Sequence, residues 1–132
     1  KGVSQYDAEA LKWYRLAAVQ GQADAQVNLG NMYANGQGVS QDDAEAVKWF
    51  RLAVAQGYVS SQFNLGVMYA KGQGVLQDYV RAHLWFNVAA ASGHSKAANN
   101  RDIAASKMTS QQIGEAQKLA RQCLAQNFKG CN

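Results

Sequence analysis

The chain repeats itself every 36 residues, and this period constrains its fold more than any other feature. The segment Gln22–Gly57 recurs as Tyr58–Gly93 without a gap, with about half of the positions identical. Gly2–Gly21 matches the second half of the unit. A fixed period of this size is typical of solenoids, in which stacked units bury a continuous core. We therefore divide one domain, 1–132, into a half repeat (1–21), two repeats (22–57 and 58–93) and C-terminal capping helices (94–132).

Apolar residues within each unit recur at intervals of three and four, which predicts two helices per repeat. The first two helices are expected at about 6–20 and 23–34. Three tryptophans lie one repeat apart, which predicts a ladder of indole rings in the core: Trp13, Trp49 and Trp85. The buried stripe of the first helix is predicted to consist of Ala10, Trp13, Tyr14, Ala17 and Ala18. The pattern indicates an all-α solenoid of about seven helices.

The two helices of each repeat are joined by an identical loop, GQGV, at Gly36–Val39 and again at Gly72–Val75. Glycine-rich loops bind phosphate in some folds, but here no Lys-Ser/Thr pair follows and no strand pattern precedes. The first glycine is suited to closing a helix, and the second to a backbone angle that other residues avoid. We interpret the loop as a structural turn.

Carboxylates mark the starts of the next helices. Asp42 is predicted as an N-cap, with Glu45 completing a capping box. The second copy keeps the cap, Asp78, but has Arg81 where the box needs a carboxylate. These acidic residues are explained by capping, so they are not needed as catalytic groups.

The repeat pattern decays after His94, as expected of a terminal unit. Thr109 and Gln112 predict another capping box, which starts a last helix that runs to about Gln126 and covers the C-terminal end. The first helix, by contrast, lacks its partner. We expect either that further repeats once preceded it or that another chain covers its face.

The formal net charge of +4 comes from the last third of the chain. Residues 1–93 carry seven basic and seven acidic side chains, whereas residues 94–132 carry six basic and two acidic ones. This basic segment has a single aromatic residue, Phe128, so we expect a solvated face and no nucleic-acid binding. No apolar run approaches the roughly 18 residues that cross a bilayer, so no membrane insertion is expected.

Two cysteines, Cys123 and Cys131, lie near the C-terminus. No motif links them to His83 or His94, so no metal site is expected. We predict a disulfide between them, which requires the helix to end between the two, because eight helical residues separate the Cα atoms by about 12 Å. A disulfide would favour an oxidising compartment, periplasmic or secreted. The alternative is a buried Cys123 with an unpaired Cys131.

The sequence LGNMYANGQGV at 29–39 and the residues that follow it resemble the Sel-1-like repeat, a relative of the tetratricopeptide repeat. This resemblance implies a right-handed α-α superhelix of helix-turn-helix units. It also implies an adaptor that holds a partner protein or peptide, and many bacterial members are periplasmic or secreted. The positions after the loop that carry the resemblance are Asp42, Ala46, Trp49, Phe50, Ala53 and Gly57.

A narrower resemblance is to a cysteine-rich bacterial branch of the same family, which has a C-x7-C pair in each repeat. It would imply weak penicillin binding or β-lactamase activity. Here only Cys123 and Cys131 match that spacing. Ser92 and Ser95 are not followed by the lysine of a Ser-x-x-Lys set. We therefore predict no enzymatic activity and no cofactor.

The first helix of each unit is expected to line the concave face, where stacking turns one position per repeat into a row. The rows are Val27 with Phe63 and Asn99, Asn31 with Val67 and Ile103, and Asn35 with Lys71 and Lys107. These positions differ between copies, which favours a role in partner specificity; the alternative is simple exposure. The predicted partner-binding residues are Val27, Asn31, Asn35, Phe63, Val67, Lys71 and Asn99.

Three functions follow as hypotheses, the last of them the weak penicillin binding or β-lactamase activity that the narrower resemblance implies. The first is a non-enzymatic interaction module that binds a protein or peptide in its groove. The second is structural self-assembly, in which the exposed N-terminal helix stacks against another copy.

Overall fold

The computed structural model of the chain describes residues 5–131, which form seven α-helices and no strand. This confirms the predicted all-α solenoid. No helix within this range combines the length and the apolarity needed to cross a membrane. The helices are α1 (Gln5–Val19), α2 (Ala23–Asn35), α3 (Asp43–Val54), α4 (Val59–Lys71), α5 (Tyr79–Ala91), α6 (Ala97–Ala105) and α7 (Ser110–Ala125).

Each helix packs mainly on its neighbours in sequence, as a solenoid requires. The pairs α1 with α2, α2 with α3, α3 with α4 and α4 with α5 follow one another along the chain. The exception is α5, which contacts α4, α6 and α7. One continuous core of buried residues runs through the stack, and α7 covers its C-terminal end.

The two helices of a repeat approach closely at a glycine. A Cβ atom at Gly30 would lie 2.6 Å from the Phe50 ring, and one at Gly66 would lie 2.7 Å from the Phe86 ring. The phenylalanine ring of the second helix therefore rests directly on the backbone of the first. The lack of a side chain at Gly30 and at Gly66 therefore permits this close packing.

The GQGV loop is a structural turn, as predicted. Gly36 adopts a left-handed conformation with φ 66°, and its backbone N–H donates to the carbonyl of Met32, closing α2. Gly38 follows with φ 72°, and the second copy of the loop repeats both angles closely. Val39 then packs against the core at the approach to α3.

The predicted N-caps are present, but one capping box is incomplete. The side chain of Asp42 accepts a hydrogen bond from the backbone N–H of Glu45 at 3.1 Å, and Asp78 accepts one from Arg81 at 3.1 Å. The carboxylate of Glu45 turns outward and accepts from the indole N–H of Trp49 at 3.1 Å. The predicted capping box at Asp42 therefore lacks its second hydrogen bond, from the backbone N–H of Asp42 to the carboxylate of Glu45, because that carboxylate accepts from Trp49 instead.

The cap over the C-terminal end begins with the predicted capping box, formed in full by Thr109 and Gln112. The chain turns back after α7, where Asn127 has φ 54°. This turn brings Cys131 to Cys123, with the Cα atoms 5.1 Å apart, and the two form a disulfide. The predicted disulfide is thus confirmed, and its alternative of an unpaired Cys131 is not.

The predicted tryptophan ladder is only partly correct. Trp49 is 9% exposed and Trp85 is 1% exposed, but Trp13 is 64% exposed. Within the predicted stripe of α1, only Ala18 is buried. The physical reason is that α1 packs mainly on α2, so no helix among the described residues covers its other side.

Candidate partner-binding groove

A groove runs along the stack between the first helices of successive units. Its first segment, a cavity of about 550 Å³, lies between α1 and α2. The second segment, about 390 Å³, lies between α2 and α4 over α3. The third segment, about 200 Å³, lies between α4 and α6 over α5.

The three segments share walls, so they form one continuous surface. Asn31 and Asn35 of α2 line both the first and the second segment. Val67 and Lys71 of α4 line both the second and the third. Helices α2 and α4 each therefore separate two neighbouring segments, as expected of stacked repeats.

The floor of the groove comes from the second helix of each unit. One register position supplies an aromatic ring to each segment: Tyr14, then Phe50, then Phe86. The groove therefore has an aromatic base throughout.

A second floor position changes in charge along the groove. It holds Asp7 in the first segment, Asp43 in the second and Tyr79 in the third. The rim position also becomes more positive, because Asn35 of α2 is replaced by Lys71 on α4. The groove thus passes from acidic at its N-terminal end to basic at its C-terminal end.

The second segment is rich in side-chain amides. Asn64 of α4 donates its side-chain N–H to the amide oxygen of Asn31 on α2 at 3.4 Å, across the segment. Asn35 is exposed beside them. An amide has both donors and acceptors, so these side chains are able to pair with a peptide backbone.

Phe63, one of the predicted partner-binding residues, is held by contacts with two other rings. Its ring stacks on the ring of His94 with centroids 4.1 Å apart and planes 8° apart. It also meets the ring of Phe86 at 5.6 Å and 49°. Phe63 does line the second segment, but it is half-buried and contributes to packing.

The structure brings five of the predicted partner-binding residues to the groove: Asn31, Asn35, Phe63, Val67 and Lys71. Asn99 is exposed on α6 and is not part of the lining of the third segment, whereas Ile103 and Lys107 are. No contact tests a binding role for any of them, so that role stays a prediction.

The prediction that Val27 binds a partner in the groove is wrong. Its side chain is 6% exposed and belongs to the core. The predicted rows place Val27, Asn31 and Asn35 on one face of α2, although each lies four residues after the one before. Each such step advances a helix by about 400°, or 40° more than a full turn. The side chain of Val27 is therefore rotated by about 80° from that of Asn35, which carries it into the interior.

Sequence reasoning missed the residues that the second helices supply to the groove, among them Asp43, Tyr79 and Phe86. The missed signal is variation between copies. Most inward positions of the second helix are alike in the two repeats, but Asp43 is replaced by Tyr79.

A buried histidine lies outside the groove. His83 on α5 is buried. Loss of solvent on burial lowers the pKa of its imidazole below the usual value, the nearby Arg101 lowers it further, and Asp102 opposes both. Within residues 5–131 no group of three or more His, Cys, Asp or Glu side chains is placed to hold a metal ion.

The model of the Sel1 repeat family matches residues 1–22, 23–58 and 59–94. A comparison with curated proteins finds no match.

Two solved structures are similar to the chain. One is the crystal structure of a protective antigen of uropathogenic Escherichia coli strains that displays an SLR fold, with 35% identity and a TM-score of 0.91. The match covers 98% of this chain and 28% of the antigen, so the chain spans little more than a quarter of that protein. The other is a Sel1 repeat protein from Oxalobacter formigenes, with 41% identity, a TM-score of 0.66, and coverage of 69% of this chain and 68% of that one.

Proposed function

Because this chain belongs to the Sel1 repeat family, we propose that it is a non-enzymatic scaffold that binds an extended segment of a partner protein in its concave groove. Sel1 repeats are typically scaffolds for protein–protein interaction. The observation that carries the proposal is the continuity of the groove, whose three segments share Asn31, Asn35, Val67 and Lys71 as common walls. An extended chain that follows the stack meets each segment in turn.

The chemistry of the groove supports an extended peptide as the ligand. The side-chain amides of Asn31, Asn35 and Asn64 offer hydrogen bonds to a peptide backbone. The partly exposed side chains of Phe63, Val67 and Tyr79 offer apolar contact for side chains of such a peptide. Core positions are alike between the repeats because their packing is alike, whereas the groove positions differ, as expected of a surface that selects its partner.

The disulfide supports a location outside the reducing cytoplasm. Disulfides persist in secreted proteins and in the bacterial periplasm, where thiols are not kept reduced. The similar E. coli protein is a protective antigen, and both similar structures are bacterial. We assign the chain to the bacterial envelope or the extracellular space.

Site-specific cross-linking tests the groove proposal. A photoreactive phenylalanine derivative is placed at Asn35 or Lys71, both exposed in the groove, and at the matched control positions Gln111 and Gln117, both exposed on α7. Each protein is irradiated in an envelope extract of the source cell. The proposal expects one partner to be cross-linked from the groove positions and not from α7. Equal cross-linking from α7, or none from the groove, overturns it.

Self-assembly is the second candidate, and the exposed face of α1 favours it. Tyr6, Trp13, Leu16 and Val19 are each at least half exposed. A concentration of exposed apolar side chains on one helix favours a protein-interaction site. Light scattering at micromolar concentration distinguishes the candidates: self-assembly expects a dimer or larger species that Trp13→Arg converts to monomers. A wild-type monomer at all concentrations removes it.

Weak β-lactamase activity has no observation in its favour. The hydroxyl group of Ser92 donates to the carbonyl of Val88 at 3.1 Å, and no lysine follows at the third position. We expect a chromogenic β-lactam to be neither hydrolysed nor covalently attached, as judged by absorbance and mass spectrometry.

A further inference from the structure

The third segment of the groove differs from the other two in size and lining. Its cavity of about 200 Å³ is smaller than the roughly 300–1,000 Å³ of pockets that hold drug-sized ligands. It suits a side chain better than a cofactor. Ile103 on α6 is 54% exposed at its edge, so apolar surface is available for contact. The apolar and aromatic lining residues are Val67, Ala70, Tyr79, Phe86, Ile103 and Ala104.

Two cations flank this apolar pocket from opposite walls. Lys71 ends α4 on one side, and Lys107 follows α6 on the other. Both are exposed. The ion pairs formed among residues 5–131 use Lys48, Arg81 and Arg101 as cations, and neither of these two lysines.

The other segments show that this arrangement is specific to the third one. The first segment is lined by Asp7 and no lysine, and the second by Asp43 together with Lys71. The third is lined by both lysines and no carboxylate, because Tyr79 replaces the aspartate. Two register positions have changed charge in the same direction.

We propose that the third segment docks one apolar side chain of a partner peptide, flanked on both sides by aspartate or glutamate side chains that pair with Lys71 and Lys107. The inference rests on the proposed function and adds the chemistry of the partner. Because the two lysines stand on opposite walls, an acidic residue on each side of the anchor satisfies both. A single C-terminal carboxylate satisfies only one.

A panel of synthetic nonapeptides, blocked at both ends and labelled with a fluorophore, tests this chemistry by fluorescence anisotropy. The reference peptide has a central leucine flanked by glutamates. Exchange of the glutamates for glutamines is expected to raise Kd roughly three- to tenfold, since two solvent-exposed ion pairs are lost. Exchange of the leucine for alanine is expected to raise Kd roughly tenfold or more. Salt is expected to weaken the glutamate peptide alone.

Matched protein variants locate the effect. Lys71→Gln with Lys107→Gln removes two charges from the pocket, whereas Lys118→Gln with Lys129→Gln removes two exposed charges elsewhere. We expect the first pair of substitutions to abolish the preference for glutamate over glutamine and the second pair to preserve it. Lys71→Glu with Lys107→Glu is expected to reverse the preference toward a lysine-flanked leucine.

Several results overturn the inference. One is equal loss of affinity in the two charge-neutralised proteins, which would mean non-specific attraction. A second is tight binding only by a peptide with a free C-terminal carboxylate, which would mean capture of a chain end. A third is no binding by any peptide up to millimolar concentration. If the groove positions still cross-link a native partner in that case, the proposed function stands and only the assigned chemistry fails.

Discussion

Helices α1 and α5 carry the same tryptophan in the same register, yet their surroundings are opposite. Trp85 is enclosed, because α4, α6 and α7 all pack on α5. Trp13 lies on the surface, because α1 packs mainly on α2. In a solenoid, an apolar stripe becomes core only where a neighbouring unit covers it, so stability is approximately a sum over neighbours.

The largest expected effect on stability comes from replacing the tryptophans of these two helices. Trp85→Ala is expected to lower the free energy of unfolding by about 3–5 kcal/mol, because a large side chain is removed from a closed core. Trp13→Ala is expected to change it by less than about 0.5 kcal/mol, as for other exposed positions. Urea unfolding followed by circular dichroism measures both.

The two alanine substitutions also test whether another protein chain covers α1 in solution. A cost at Trp13 similar to that at Trp85 would contradict the prediction and would mean that another copy buries this face. Dilution of the wild-type protein would then lower its apparent stability, because association contributes to the measured free energy.

The second prediction concerns the cap on α5. The disulfide ties the end of α7 to the chain that follows it, and Cys131→Ser is expected to lower the free energy of unfolding by roughly 2–3 kcal/mol for a loop of this length. Hydrogen exchange is expected to quicken in α7 and α5 more than in α1 and α2, because local stability follows local contacts.

Reduction of the wild-type protein provides the control for this variant. A reducing agent is expected to reproduce the loss in the wild type and to leave Cys131→Ser unchanged. If the variant retains full stability, the disulfide does not stabilise the cap, and the packing of α7 alone holds it.

The 36-residue register predicted the helices, the glycine turns and the N-caps, because these depend on neighbours within the sequence. It predicted the burial of Trp49 and Trp85 correctly but that of Trp13 wrongly, because burial depends on neighbours in space. Trp13 and Trp85 are indistinguishable by register, and Val27 was misplaced because four-residue steps rotate about a helix. The contribution of Tyr79 to the groove was missed because it comes from the second helix of a unit.

The third prediction compares the two full repeats at a buried glutamine. In the first repeat, Gln26 donates to the carbonyl of Ala18 at 3.2 Å and accepts from Gln56 at 3.1 Å. In the second repeat, the amide nitrogen and the amide oxygen of Gln62 are both buried without a hydrogen-bond partner among residues 5–131, and Ser92 stands where the first repeat has the donor Gln56. Ser92→Gln is expected to stabilise the protein by about 0.5–1.5 kcal/mol, the net contribution of a typical hydrogen bond.

The reverse exchange in the first repeat is the matched control. Gln56→Ser is expected to destabilise by at least as much, because it removes the hydrogen bonds that Gln56 donates to the side-chain oxygen of Gln26 and to the carbonyl of Gly21. If Ser92→Gln has no effect on stability while Gln56→Ser does, a glutamine at position 92 does not reach Gln62 as Gln56 reaches Gln26. The two repeats then differ in geometry at this position.

The smallest expected effect is a pH dependence of the free energy of unfolding that comes from His83 on α5. His83 occupies the register position of Leu11 and Val47, and its burial lowers the pKa of the imidazole in the folded state. The unfolded chain has a histidine pKa near 6.5, so it binds more protons than the folded one below that value. Stability is therefore full above about pH 6.5 and is lost as the pH falls from there toward the folded pKa.

The variant His83→Val installs the residue that the first repeat has at this position and isolates the effect. The difference in unfolding free energy between the two proteins is expected to be constant above about pH 7 and to grow in favour of the valine protein toward pH 5.5, since only the wild type then has to keep an imidazole uncharged in the core. Urea unfolding at closely spaced pH values measures this difference. Parallel curves would mean that His83 is protonated equally in both states, with the nearby Asp102 compensating for burial and for Arg101.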